Sequence, residues 1–227
     1  MNFAGFQKLT LLDYPGKVAC ILFTRGCNFR CPFCHNASLV THFDDAIITE
    51  DEVLSFLKKR QGILEGVVIS GGEPMLNADF PDFIRKVKSL GYAVKTDTNG
   101  TNPHMLKYCL EEGIVDYVAM DIKNSPRKYD LTAGAEGFYE KVKESMQYLL
   151  DSSGDYEFRT TVTKELHTPE DMEEIGQMIK GAKKYFLQNF VDSGDIISGG
   201  IHPLSENEME NLLKIAQKYV PEAKIRG

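Results

Sequence analysis

The sequence predicts an α/β fold built on a mostly parallel sheet. Six apolar, β-branched runs recur along the 227 residues: Val18–Thr24, Gly66–Ser70, Tyr92–Thr96, Val115–Ile122, Tyr156–Val162 and Lys184–Val191. Amphipathic stretches of helical period separate them. The strand starts, near 18, 66, 92, 115, 156 and 184, are mostly 23–41 residues apart, the spacing of βα units. Six such units are too few to close a standard eight-stranded barrel, which leaves an open partial barrel or a doubly wound sheet. Either architecture places ligands at the C-terminal ends of its strands, so motifs just after strands are expected to converge.

The elements follow in order. Phe6–Leu12, a turn at Tyr14-Pro15-Gly16 and Lys17–Thr24 read as a hairpin that adds an edge strand. The first strand-to-strand interval, 48 residues, is long because it also carries a cysteine-rich loop. Thr49, with Glu52 three residues on, has the spacing of a capping box at a helix start. Over 138–150, Val142, Met146 and Leu149 share one helical face, as do Met209, Leu212, Leu213 and Ala216 over 206–219. Thr168-Pro169-Glu170 reads as an N-cap followed by proline at the first helical position.

Composition narrows the classes. Hydrophobic residues are 42% and charged residues 26%, which fits a soluble globular protein with a substantial core. No run approaches the roughly 18 apolar residues of a membrane span. The N-terminus lacks the charged start, apolar stretch and small-residue cleavage site of a signal peptide, so a cytoplasmic location is expected. A net charge of −7 argues against a broad nucleic-acid or anionic-membrane surface. The basic runs Lys58-Lys59-Arg60 and Lys183-Lys184 read as solvated element ends.

Five cysteines are present, an odd number, and three of them fall within eight residues: Cys27, Cys31 and Cys34. That clustering points to metal chemistry rather than to disulfides. The loop Arg25-Gly26-Cys27-Asn28-Phe29-Arg30-Cys31-Pro32-Phe33-Cys34-His35-Asn36 has the spacing C-x3-C-x2-C. Three thiolates at that spacing can wrap one iron–sulfur cubane and leave its fourth iron open for an exchangeable ligand. A structural zinc site would want a fourth ligand, which His35 supplies only through a tight turn, and Cys109 lies in a helical pattern over Met105–Glu112.

Other strand ends carry further candidates. Ser70-Gly71-Gly72-Glu73-Pro74 follows the second run; its glycines allow close backbone approach to a ligand, and its carboxylate can accept from an ammonium group. Taken alone it is equally a simple turn. Thr96-Asp97-Thr98-Asn99-Gly100 ends the third run, with Asn99-Gly100 a turn signal. Met120-Asp121-Ile122-Lys123 ends the fourth, with Asp121 and Lys123 on one face. That pair is either a surface ion pair or a lysine poised to neutralise a ligand carboxylate. Arg159, in Phe158-Arg159-Thr160-Thr161 at the fifth, either binds a carboxylate bidentately or serves as an ion-pair partner.

The cysteine spacing, with Phe33 just before the last cysteine and the loop just after the first strand, resembles the signature of the radical S-adenosylmethionine (SAM) superfamily. The resemblance implies a partial (β/α)6 barrel, an open TIM-like fold, and a [4Fe–4S] cluster on Cys27, Cys31 and Cys34. It also implies that the open iron is chelated by SAM, Phe33 lies against the adenine, and Gly71, Gly72, Glu73 and Pro74 hold the SAM amino group. It spans a single core over 1–227, with a hairpin extension at 1–16, the barrel at 17–191 and a C-terminal helical segment at 192–227.

Asp97-Thr98-Asn99-Gly100 and Asp121-x-Lys123 resemble motifs of a narrower group, the activating enzymes of glycyl radical enzymes. That likeness implies Asp97, Thr98 and Asn99 near the SAM amino or ribose region, with Lys123 and Arg159 toward its carboxylate. Lys123 joins the cysteines as a catalytic candidate. Asp97, Thr98 and Asp121, with the Ala119 carbonyl, would surround a monovalent cation. Phe6-Gln7-Lys8 and Leu12-Asp13-Tyr14-Pro15-Gly16-Lys17-Val18, running into the cysteine loop and His35-Asn36, resemble the activating proteins of anaerobic ribonucleoside-triphosphate reductases. The implied partners are a glycyl radical enzyme of that kind, whose glycine loses its Cα hydrogen, and flavodoxin or ferredoxin as reductant. Pyruvate formate-lyase activating enzymes carry a SAM-contacting histidine after the sixth strand; here Leu187-Gln188-Asn189-Phe190-Val191 has none, and Gln188 or Asn189 are the candidates to replace it. The chain is small for the fold, which suits a macromolecular substrate. Three alternatives stand beside this reading: a radical SAM enzyme acting on a small molecule, such as a 7-carboxy-7-deazaguanine synthase-like protein; a non-enzymatic iron–sulfur sensor or electron-transfer module; and a structural zinc protein.

Overall fold

The computed structural model describes residues 1–41 and 47–226. The chain divides into two compact units: Met1–Cys27, Ser38–Thr98 and Asn102–Val118 form the first, and Asn28–Ala37, Asn99–Thr101 and Ala119–Gly227 the second. In chain order the elements begin with β1 (Asn2–Phe3), β2 (Gly5–Thr10), β3 (Ala19–Thr24), α1 (Ala37–Thr41), β4 (Ile48–Thr49) and α2 (Glu50–Arg60). Then come β5 (Gly66–Gly71), α3 (Phe80–Ser89), β6 (Ala93–Thr98), α4 (Pro103–Glu111) and β7 (Tyr117–Asp121), whose last three residues belong to the second unit. The remainder is α5 (Tyr129–Ala133), α6 (Tyr139–Asp151), β8 (Asp155–Val162), α7 (Pro169–Met178), β9 (Tyr185–Asn189), α8 (Glu206–Gln217) and β10 (Lys224–Ile225).

In the first unit β3, β5 and β6 are parallel neighbours. Ala19 pairs with Gly66, and the register runs to Thr24 opposite Gly71; Gly66 pairs in turn with Ala93. The expected hairpin is present: β2 lies antiparallel on the outer edge of β3, from Gly5 opposite Phe23 to Thr10 opposite Ala19. The turn at Tyr14-Pro15-Gly16 forms, with Lys17 N–H donating to the Tyr14 carbonyl (3.1 Å), and the Tyr14 side chain is also core. It packs with Ala19, Ile21, Val68 and Tyr117, and a Cβ on Gly66 would lie 2.7 Å from its ring. Glycine is therefore required where β5 begins. The capping box on α2 forms as the spacing predicts, with Thr49 Oγ1 accepting from Glu52 N–H and the Glu52 carboxylate accepting from Thr49 N–H.

In the second unit β8 and β9 are parallel, Phe158 opposite Tyr185, and β10 adds a short parallel edge beyond β9. That last strand was invisible in the sequence. It is tied down by Arg226, which donates two hydrogen bonds (2.6 and 3.0 Å) to the buried Glu157 carboxylate and stacks on Phe186. The α6, α7 and α8 helices occupy the predicted stretches, and α7 starts with Thr168 as N-cap and proline at its first turn. All six predicted strands exist, with shifted ends: β6 extends to Thr98, so Asp97 and Thr98 are strand residues, and Arg159 lies inside β8. Among the described residues no helix is long and apolar enough to cross a membrane.

Asp171, fully buried in the first turn of α7, accepts from Ser125 Oγ (3.0 Å), Arg127 (3.1 Å), Lys128 (2.5 Å) and the Thr168 backbone N–H (2.9 Å). Burial opposes its ionisation, but Lys128 and Thr168 outweigh it and hold the carboxyl below its ordinary range. Removing one partner of a buried charge network strands the others. Asp171→Ala is therefore expected to lower the unfolding free energy by about 3 kcal/mol, read as a shift of the urea midpoint; an unshifted midpoint contradicts this account.

Candidate active site

In the first unit, β3 ends at Thr24 and the chain enters the cysteine loop through Arg25 and Gly26. The end of β5 is joined to it by backbone hydrogen bonds: Gly72 N–H to the Thr24 carbonyl (2.9 Å) and Glu73 N–H to the Gly26 carbonyl (2.8 Å). The approach is too close for a side chain. A Cβ on Gly72 would sit 1.9 Å from the Gly26 oxygen, and one on Gly71 2.5 Å from the Thr24 nitrogen, with Gly71 at φ +106°. The two glycines admit the backbone that leads into the cysteine loop.

Beyond them, Glu73 is buried, and its Oε1 accepts from Met75 N–H (3.0 Å) and Thr98 Oγ1 (2.9 Å). Pro74, also buried, opens a 3-10 turn over Pro74–Leu76. Asp97 accepts from Ser70 Oγ (2.8 Å) on one oxygen and from the Lys95 ammonium (2.5 Å) on the other. The first unit thus gathers Glu73 with Thr98, and Asp97 with Ser70 and Lys95.

In the second unit the loop is fixed by side chains. Asn99 Nδ2 donates to Asn28 Oδ1, Asn28 Nδ2 to Thr101 Oγ1, and Thr101 Oγ1 back to Asn99 Oδ1, a closed ring at 2.9, 2.9 and 2.7 Å. Asn99 is thus tied to the cysteine loop through Asn28. Arg30 N–H donates to the Ala133 carbonyl (2.8 Å), and the Cys31 thiol lies 3.7 Å from the same oxygen. Gly134 caps α5 at φ +61°, where a Cβ would fall 2.2 Å from the Arg30 carbonyl oxygen. Phe29 is buried edge-on against Tyr129 and Phe138.

Asp121, the last residue of β7, holds both predicted cations. Its Oδ2 accepts from Lys123 Nζ (2.9 Å) and its Oδ1 from Arg159 Nε (2.9 Å). Burial disfavours the charged lysine, but Asp121 and Cys31 outweigh it and hold Lys123 above its ordinary pKa, so it is protonated throughout the neutral range. A cation beside Cys31 favours the thiolate that binds metal. Of the late candidates, Asn189 is committed to the backbone of Leu204, donating at 2.8 Å and accepting at 2.9 Å. The His35 ring meets Phe190.

His167 escaped the sequence reading. It is buried, edge-on to Phe33 at 6.3 Å between ring centroids. Thr163 N–H donates to its Nδ1 (3.1 Å), so the ring proton sits on Nε2, which donates to the Lys123 carbonyl (2.9 Å). This tautomer is neutral, and burial lowers its pKa below the ordinary imidazole value.

Among the described residues no group of three or more His, Cys, Asp or Glu side chains is gathered for a bare metal ion. The fit to an iron–sulfur cluster lies in donor chemistry. Cys27, Cys31 and Cys34 lie on one loop outside any disulfide, and thiolates are the soft ligands such clusters use. Cys20 and Cys109 are free but fully buried, and burial pushes their thiols up to about 12 and about 11. They are inert core residues.

The sequence pattern of the Radical SAM superfamily matches residues 21–180. A protein of Methanocaldococcus jannaschii, named as a candidate glycyl-radical enzyme activating enzyme, is 32% identical over 98% of this chain and 95% of its own length. A GTP 3',8-cyclase of Helicobacter pylori is 30% identical over 86% of this chain, which spans 61% of that protein. Among solved structures, a radical SAM methyltransferase from Sphaerobacter thermophilus superposes with a TM-score of 0.75 at 14% identity, covering 96% of this chain and 68% of that one. The chain belongs to the radical SAM superfamily. It is a radical SAM enzyme, and its family implies a [4Fe–4S] cluster and SAM.

Two expectations follow. Gly72→Ala forces the cysteine loop away from β5, at a cost of about 2–3 kcal/mol, and lowers iron and sulfide incorporation on anaerobic reconstitution; a fully loaded variant contradicts the contact. For His167 the sign is fixed by its depressed folded-state pKa. Below the ordinary imidazole value the unfolded chain binds a proton that the folded chain does not, so stability falls as pH drops through about 6.5, by at most about 1.4 kcal/mol per pH unit for one group. Denaturation midpoints between pH 7.5 and 5.5 should shift less in His167→Gln than in the wild type.

Proposed function

We propose that this chain activates a glycyl radical enzyme, of the anaerobic ribonucleotide reductase type, by removing a glycine Cα hydrogen. The observation that carries this reading is the likeness to the M. jannaschii protein, which covers 98% of this chain and 95% of that one. The match to the cyclase covers 61% of that protein.

In this reading Cys27, Cys31 and Cys34 hold a [4Fe–4S] cluster. Reduced by flavodoxin or ferredoxin, such a cluster would supply the electron for cleavage of SAM into methionine and the 5'-deoxyadenosyl group that is to take the glycine hydrogen. The protein's own part is positioning. Phe33, with His167 at its edge, presents an apolar face to the adenine. Glu73 takes the amino group; its carboxylate is already oriented by Met75 N–H and the Thr98 hydroxyl. Lys123 and Arg159, both held by Asp121, offer cationic donors to the carboxylate. Gly71, Gly72 and Pro74 set the backbone around Glu73, and Asn99 steadies the loop through Asn28. A monovalent cation at Asp97, Thr98 and Asp121 would compete with the pairs those side chains already make. The single-core organisation over 1–227 and a cytoplasmic location belong to the same proposal.

Reduced, reconstituted enzyme is expected to release 5'-deoxyadenosine from SAM and, mixed anaerobically with its partner, to raise the glycyl doublet in electron paramagnetic resonance. Lys123→Met should weaken SAM binding by about tenfold or more. Cleavage of SAM without a doublet on any glycyl radical enzyme offered would retire the activating role and leave a small-molecule substrate as the alternative.

A further inference from the structure

Lys95 is the one buried lysine among the described residues, 2% exposed in the interior of β6. A buried ammonium is costly unless it is paired and hydrogen-bonded. Its partner is two residues along the same strand face: Nζ lies 2.5 Å from Asp97 Oδ1, while Asp97 Oδ2 accepts from Ser70 Oγ at 2.8 Å. The Asp97 side chain is 18% exposed, so the carboxylate reaches the strand end while the lysine stays beneath it. Both oxygens carry a donor, and one carries a full positive charge in a poorly screened place.

A metal cation bound to Asp97 would sit within a few ångströms of that ammonium. The like-charge repulsion would be large in a partly desolvated setting. We propose that the Lys95 ammonium takes the place of a monovalent cation at Asp97: a tethered charge that keeps the carboxylate ionised and oriented, and makes SAM binding independent of added sodium or potassium. This rests on Asp97 standing on the SAM side of the site, as the proposed function has it. Lys95 is then a positioning residue, acting on SAM through Asp97.

The test compares the wild type with Lys95→Met, which keeps the length of the stem and removes the charge. SAM affinity is measured by equilibrium dialysis in choline, sodium and potassium chloride, and cation binding to the apoprotein is measured by sodium-ion magnetic resonance linewidth. The wild type is expected to bind SAM equally in all three salts and to show no saturable sodium broadening. Lys95→Met is expected to lose about tenfold or more in SAM affinity in choline, to recover it in potassium or sodium, and to gain saturable sodium broadening that potassium displaces. Rescue by a simple cation separates this role from mere structural support. Saturable sodium binding or potassium-stimulated SAM binding by the wild type overturns the proposal, as does a folded Lys95→Met that binds SAM like the wild type in choline. Should Lys95→Met fail to fold, the wild-type arms decide alone. A wild type that binds no SAM in any salt counts against the proposed function, while the sodium linewidth still decides the role of Lys95.

Discussion

The contact on which the cysteine loop depends is one of backbone against backbone. Parallel register sets Thr24 opposite Gly71, so the first residues beyond β5 lie beside the first residues beyond β3. Gly72 and Glu73 then donate to Thr24 and Gly26, with 1.9 Å between a notional Gly72 Cβ and the Gly26 oxygen. Nothing larger than hydrogen fits. The loop is fixed by the sheet itself, so the entropic cost of ordering it is met when the protein folds rather than when a cluster loads.

The second half of the loop is restrained by other means. The Asn28–Asn99–Thr101 ring, the Arg30 bond to Ala133 and the aromatic packing of Phe29 each constrain a different residue. Buried polar groups that are fully satisfied in this way rigidify, whereas partly satisfied ones would cost stability. The neutral His167 continues the pattern, since its two ring nitrogens are spent on Thr163 and Lys123 and leave the ring edge for Phe33.

Much of this was legible in the sequence. Hydrophobic runs located all six expected strands because strands buried on both faces read as continuous apolar segments. Cys27, Cys31 and Cys34 could be singled out from residue type and spacing, whereas Glu73, Asp97 and Asp121 were singled out by the resemblance of their motifs. What stayed hidden depends on through-space geometry. Tyr14 opens the turn that was read for it, but the packing of its ring over Gly66 shows only in the fold. Lys224–Ile225 is too short to show a period, and its anchor, Glu157, lies 69 residues from Arg226. His167 carries no motif; its meaning comes from which proton it holds. Lys95 did leave a signal, a lysine in a run otherwise read as buried strand, and that alternation with Asp97 mirrors Asp121-x-Lys123.

The same device therefore occurs in both units: a carboxylate at a strand end and a lysine two residues away, Lys95 before Asp97 and Lys123 after Asp121. The pleat places Lys95 and Asp97 on one face of β6, while Lys123 lies two residues beyond the end of β7 and turns back to Asp121, so each pair is local in sequence. A carboxylate paired this way stays ionised under partial burial, because the opposing charge offsets part of the desolvation penalty. An aspartate left alone at the same depth would drift toward its protonated form and lose its grip on a cationic ligand. Local pairing thus converts strand geometry into fixed charge, and fixed charge is what a site must present if it is to orient a zwitterionic sulfonium.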